Sequence, residues 1–219
     1  MKIVKFLIVS LLLLTGMTVK SYSGASDFQG FHVGIEIGST GAAVDGKHKD
    51  TDATVQTTEG TAGATSMMAG ASIGYTMAMD DVFSVTLDVS YNPLDHEIKA
   101  DDAANVDDVT VKLEGSYVAA LELGANVTDT TAAYVKVGYT EFELTATGTG
   151  IDNDQAFDLD GIVYGLGTKT IMDGGMFIKS EMGLKEYDGF KLVGVGTGDG
   201  TVEADVDMAY GSLTLGFKF

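Results

Sequence analysis

Apolar and polar residues alternate with a period of two along eight separate stretches of this chain, and few architectures accommodate that pattern. In the last stretch Ala209, Gly211, Leu213, Leu215, Phe217 and Phe219 share one face, while Tyr210, Ser212, Thr214, Gly216 and Lys218 share the other. Successive side chains of a strand point to opposite sides, so each run predicts a strand with one apolar and one polar face. The other seven runs are Phe31–Ile37, Ala69–Met77, Phe83–Tyr91, Val111–Leu123, Ala133–Tyr139, Ile162–Leu166 and Ile178–Leu184. Their connections alternate strictly in length. Tight turns fall at Asp80-Asp81, Ala125–Thr130 and Asp173-Gly174-Gly175. Between them lie polar stretches of roughly twenty residues, Val44–Gly63, Pro93–Asp108, Glu141–Asp160 and Glu186–Asp207, far longer than ordinary hairpin loops.

The charges sort by the same assignment. The chain carries 32 acids against 13 basic residues, all of them lysine, for a formal charge of −19. That balance speaks against a nucleic-acid partner, which needs basic surface. Of the 32 acids, 22 fall in the four long stretches, which marks those stretches as solvated. On the strands every charge lies on the polar face: Glu36, Asp88, Glu114, Glu122 and Glu181 face Lys112, Lys136, Lys169, Lys179, Lys185 and Lys218. A water-facing sheet has no need of such a balance, whereas an enclosed interior does, because an unpaired buried charge is costly. Eight strands closed into a barrel leave a lumen just wide enough for side chains to fill. The polar face therefore reads as a salt-bridged plug, with Glu114 and Glu181 expected within reach of Lys112, Lys136, Lys169 and Lys179. Glycines on that face, such as Gly74, Gly165, Gly167 and Gly183, make room for lysine and tyrosine. Tyr75, Tyr91, Tyr117, Tyr139, Tyr164, Phe31, Phe83, Phe217 and Phe219 on the apolar face suit interfacial girdles.

The amino-terminus has the layout of a secretory signal over residues 1–25. Lys2 and Lys5 precede an apolar core from Phe6 to Leu14, too short to span a membrane as a helix, and Ser23-Gly24-Ala25 supplies a small-residue cleavage site. Ser23 is an alternative cleavage point. Removing Lys2, Lys5 and Lys20 takes the formal charge from −19 to −22. Cysteine is absent, which excludes a disulfide framework, a thiolate site and a lipid-anchored amino-terminal cysteine.

Gly30-Phe31-His32-Val33-Gly34, Tyr164-Gly165-Leu166-Gly167 and the terminal Phe219 carry a resemblance to the small eight-stranded outer-membrane barrels of Gram-negative bacteria, the opacity-protein and OmpA/OmpX-like families. The resemblance implies an all-β, eight-stranded antiparallel up-and-down transmembrane barrel over residues 26–219, with short periplasmic turns and four long extracellular loops. It also implies insertion by the barrel-assembly machinery through Phe217 and Phe219, contact with outer-membrane lipid and lipopolysaccharide, and a monomer that can meet an extracellular ligand through its acidic loops. No cofactor or metal is implied. Members include adhesins, structural barrels and small pores, so a surface-interaction barrel and a narrow pore are both carried forward.

The residues bear on three further readings. Some small barrels are lipid-modifying enzymes or proteases, and Asp95-His96 offers a base beside its orienter, although neighbours on an extended segment point apart. His48, between two lysines, reads as solvated. Asp101-Asp102, Asp107-Asp108 and Asp152-Asn153-Asp154 lack the spacing of a calcium loop. A soluble lipocalin-like carrier would share the barrel but bury apolar side chains inside it. Deleting Phe219, or replacing it with a charged residue, is expected to lower the amount of heat-modifiable protein in the outer membrane far more than the same change at Asp173. Equal levels of the two variants would refute the role of Phe219.

Overall fold

The structure, a computed structural model, describes residues 24–49, 57–100, 109–148, 155–195 and 200–219. The signal segment through Ser23 and the acidic clusters at 101–108 and 152–154 lie outside them. The described chain is almost wholly extended: β1 (Gly30–Lys49), β2 (Thr57–Ala78), β3 (Phe83–Asn92), β4 (His96–Ala100), β5 (Val109–Asn126), β6 (Thr131–Gly148), β7 (Gln155–Ile171), β8 (Met176–Val195) and β9 (Gly200–Lys218). Sequence neighbours pair antiparallel except β3 and β4, β1 pairs β9, and β3 pairs β5, which closes the ring. Among the described residues the ring is open beside β4, which pairs β5 alone.

Nine segments make eight staves, because β3 and β4 follow one another along the same edge of β5. Asn92 faces Ser116 and His96 faces Leu113. Pro93 causes the interruption, since it has no N–H to give to a ladder. The Asn92 side chain bridges the gap, its Oδ1 accepting from the amides of Leu94 (3.1 Å) and Ala69 (3.4 Å). At the closing seam Val33 faces Phe217, Ile35 faces Leu215, and the Phe219 amide donates to the Phe31 carbonyl (2.8 Å).

The short turns gather at one end of the barrel, with Gly24 and Phe219 beside them. Asp80 Oδ1 accepts from the amides of Val82 and Phe83, both at 2.7 Å. These two bonds, Phe83's first, hold its carboxyl below the usual carboxylate range. Thr128 Oγ1 does the same for Thr130 and Thr131 in the next turn. Gly174 (φ 80°) and Gly175 (φ 85°) provide the left-handed backbone of the third.

At the far end the structure departs from the expected twenty-residue loops. Most of Val44–Gly63, Glu141–Asp160 and Glu186–Asp207, and His96–Ala100 within Pro93–Asp108, continue as paired strand, with registers running out to Lys49↔Thr57, Val109↔Gly148 and Ala146↔Gln155. Along β6 the period of two never breaks; its polarity inverts. Val137 and Tyr139 point outward below, with Lys136 and Thr140 inward. Above, Glu141 and Glu143 point outward while Phe142, Leu144 and Ala146 are buried within. β7 and β9 invert at the same height, with Asp158 and Asp160 outside Leu159, and Asp205 and Asp207 outside Val206 and Met208. The lower barrel shows an apolar outer band that includes Ile35, Leu87, Leu121, Val137, Ile162, Met182 and Leu215. Its interior is polar. The upper barrel is the reverse, a sheet with a wet outside and a hydrophobic core.

Two strands shift phase as well, β8 between Tyr187 and Phe190, and β5. Between Glu114 and Tyr117 of β5 the partner β6 advances only from Glu143 to Glu141, so β5 holds one extra residue. This bulge is built on Gly115 at φ 55°. It turns Val111 and Leu113 inward, to 9 % and 2 % exposure, and Lys112 and Glu114 outward, the opposite of the unbroken alternation expected for this run. Replacing Gly115 with valine should cost about 1–2 kcal/mol, the strain of a side chain held in the left-handed region. Urea unfolding in detergent measures it, and an unchanged midpoint would mean that the bulge does not need glycine.

Candidate functional site in the barrel lumen

The inward faces of β3, β5, β6 and β8 converge in the lower barrel. Lys179 of β8 reaches across the lumen to Glu122 of β5, with Glu181 Oε2 at 3.4 Å and Asp88 Oδ1 at 3.8 Å. Lys136 Nζ donates to Glu181 Oε1 at 2.8 Å. The same carboxylate accepts from the hydroxyls of Tyr134 (2.8 Å) and Tyr210 (2.7 Å). Glu181 therefore meets two ammonium groups and two phenols, filling the acceptor sites of a carboxylate that is almost wholly buried. His32 Nε2 lies 3.3 Å from Asp88 Oδ2, and its ring stands edge-on to Phe177 at 5.6 Å.

Space for these side chains comes from glycine. A Cβ on Gly74 would meet the His32 ring at 2.6 Å, and one on Gly165 or Gly183 would meet the Tyr210 hydroxyl at 2.8 Å. The remaining inward lysines take different partners. Lys185 donates to Ser116 Oγ at 3.1 Å, and Lys218 to the Asp27 carbonyl at 2.6 Å. Lys169 stacks over the Phe177 ring, 4.6 Å from its centroid, with no hydrogen-bond partner on its Nζ. Cation–π attraction is strengthened by desolvation.

Eight of the ten charged residues expected in the lumen face it: Glu36, Asp88, Glu122, Lys136, Lys169, Lys179, Glu181 and Lys218. Lys112 and Glu114 do not. The bulge places them on the outer surface, where Lys112 pairs with Glu114 and with Asp95 at 3.1 Å. The expected partnership of Glu114 with Lys136, Lys169 or Lys179 is replaced by this exposed pair. His32 is buried in the lumen as well. Its contact with Asp88 joins strands that are not neighbours, and no spacing in the sequence signals it.

Above the charges the lumen is filled by Leu113, Phe142, Leu144, Leu159, Tyr187, Phe190, Val206 and Met208. The Phe142 and Tyr187 rings meet edge-on at 4.4 Å. Between the two layers, beside Gly115, His96 and Lys185, a void of ≈ 20 Å³ remains. It has room for about one water molecule. Burial, first, and the Lys185 ammonium hold the His96 imidazole below its usual pKa. Asp95 points outward to Lys112 while His96 points inward, so the two do not act as base and orienter. Among the described residues no three of His, Asp or Glu gather as metal ligands.

Glu181→Gln should cost about 3–5 kcal/mol in detergent unfolding, because it leaves the buried Lys136 ammonium without its counter-charge. Glu114→Gln should cost less than about 1 kcal/mol, as for exposed pairs. Equal losses would mean that the lower lumen is as wet as the outer wall.

The fold recurs among solved structures. The outer membrane protein OprG of Pseudomonas aeruginosa aligns at 15 % identity and TM-score 0.59, over 92 % of this chain and 99 % of that one. The outer membrane protease OmpT of Escherichia coli aligns at 9 % identity and TM-score 0.47, over 92 % and 99 %. Ail of Yersinia pestis, the attachment invasion locus protein, aligns at 11 % and 0.42, over 86 % and 99 %. A search of curated proteins returns no match. The family model for the outer membrane protein beta-barrel domain matches residues 9–219, so the chain belongs to the outer-membrane β-barrel family.

Proposed function

We propose that this protein is a structural and surface-interaction barrel of the outer membrane, adhesin-like in presenting its upper wall outside the cell, with neither a continuous pore nor a catalytic site. The observation that carries this reading is the filling of the lumen at two successive heights by two chemistries. A hydrated solute moving along the axis meets Phe142, Leu144, Leu159 and Val206 at one level and the Lys179–Glu122 and Lys136–Glu181 pairs at the next. To pass it must shed water in the first and break ion pairs in the second.

In this reading the tight turns face the periplasm. The upper barrel stands in water outside, and the aromatic outer positions mark the two membrane boundaries. Its outer wall is acidic: Glu143 faces Asp158, Glu141 faces Asp160, Glu186 faces Asp207, and Asp45 faces Asp205. Such a surface suits basic partners, or lipopolysaccharide bridged by divalent cations. The Phe217 and Phe219 end is read by the assembly machinery, and the barrel acts as a monomer. The competing reading is a narrow pore for small solutes, and a lipid-modifying or proteolytic enzyme is a third. In planar bilayers the refolded protein should give no steady unitary conductance. Reproducible open steps would overturn the plug and establish the pore.

A further inference from the structure

Both Ser21-x-Ser23 and Ser23-x-Ala25 place small residues one and three positions before a scissile bond, so the sequence admits two processing sites. The barrel uses residues that only one of them keeps. Ala25 is fully buried, and its amide donates to the Asp81 carbonyl in the β2–β3 turn at 3.0 Å. The Gly24 carbonyl accepts from the Asp27 amide at 3.0 Å, which closes the 3₁₀ turn Ala25–Phe28. Beyond that turn, Phe28 is 1 % exposed and lies against Thr76, Thr86, Glu122 and Lys169, capping the charged layer from the turn end. Lys218 fastens the same arm through the Asp27 carbonyl.

We propose that the leader is removed between Ser23 and Gly24, two residues before the boundary expected at Ala25, and that the new α-ammonium on Gly24 docks beside the Asp81 carboxylate. The step is a hydrolysis by signal peptidase. Water adds across the Ser23–Gly24 peptide bond, its oxygen going to the Ser23 carbonyl carbon and both its protons to the Gly24 nitrogen. The products are a carboxylate on the leader and an ammonium on the barrel. A Cβ built on Gly24 would lie 3.7 Å from Asp81 Oδ1, which brings the α-carbon that bears the new ammonium near that carboxylate. Asp80 is already engaged by the Val82 and Phe83 amides, which makes Asp81 the counter-ion. A cut after Ala25 would discard the buried methyl, the bond to Asp81 and the carbonyl that closes the turn. Phe28 would then be held from one side only.

The proposal rests on export through the inner membrane and is independent of whether the lumen conducts. Protein purified from outer membranes should have an intact mass and amino-terminal sequence that begin Gly24-Ala25-Ser26. A mature chain beginning at Ser26, or an uncut chain, overturns it. Two variants read in a short pulse-chase, before assembly, separate the sites without depending on folding. Ser21→Leu should accumulate precursor, and Ala25→Leu should be processed at the normal rate to a chain beginning at Gly24. The reverse pattern places the cut after Ala25. For the docked ammonium, Asp81→Asn should lower the temperature at which the folded band converts to the unfolded one on gels. No shift would remove the ion pair from the proposal.

Discussion

In hydrocarbon a backbone N–H or C=O finds no water, so every one must be paired within the protein, and for strands that requires a closed ring. Once the ring closes around the outer band that includes Ile35, Leu87, Leu121, Val137 and Leu215, the side chains pointing inward are the only ones left to be polar. Where the strands rise above that band the surrounding medium becomes water and the requirement reverses. The outer wall turns to Glu141, Asp160 and Asp207, and the interior to Phe142, Leu159 and Val206. Two barrels of opposite polarity are thus stacked on one set of hydrogen-bond ladders, with changes of phase in β5 at Gly115 and in β8 beyond Tyr187.

The lower interior could have been filled by apolar groups at less desolvation cost. Lysine and glutamate there fix geometry instead. Lys179 spans the lumen to Glu122, and Glu181 binds Lys136, Tyr134 and Tyr210, so β5, β6, β8 and β9 are tied through their centres as well as their edges. The tyrosine ties depend on glycine: a side chain at Gly165 or Gly183 would occupy the volume of Tyr210, and one at Gly167 that of Tyr134. Two of the described groups sit at the margins of this network. Lys169 balances its charge on the face of Phe177, and His32 leans on Asp88 beneath the Phe28 cap.

The strands, their alternating short and long connections and the closure onto Phe219 were legible because the period of two responds to the medium on each side. Eight lumen charges were legible for the same reason. Lys112 and Glu114 were misplaced because one residue in the left-handed region at Gly115 reverses the faces of the residues before it relative to those after it, and residue identities carry no direct record of φ. The upper barrel was mistaken for loops although its alternation is intact in Glu141-Phe142-Glu143-Leu144. Its acids sit where lipid-facing residues had been, and a stretch rich in acids resembles solvated coil. Contacts between strands that are not neighbours, such as Lys179 with Glu122, leave no spacing signal at all.

The height at which polarity inverts also sets how deep the molecule rides. Sinking by one residue pair, ~7 Å along a strand, would carry Glu141, Asp160, Glu186 and Asp207 into hydrocarbon. Rising by the same amount would lift Tyr139, Ile162 and Leu184 into water, at about 1.5–3 kcal/mol for each large side chain. Opposed penalties of this kind form a steep well along the membrane normal. Faced with a bilayer of the wrong thickness, the barrel would hold its level, and the surrounding lipid would thin or thicken to meet it.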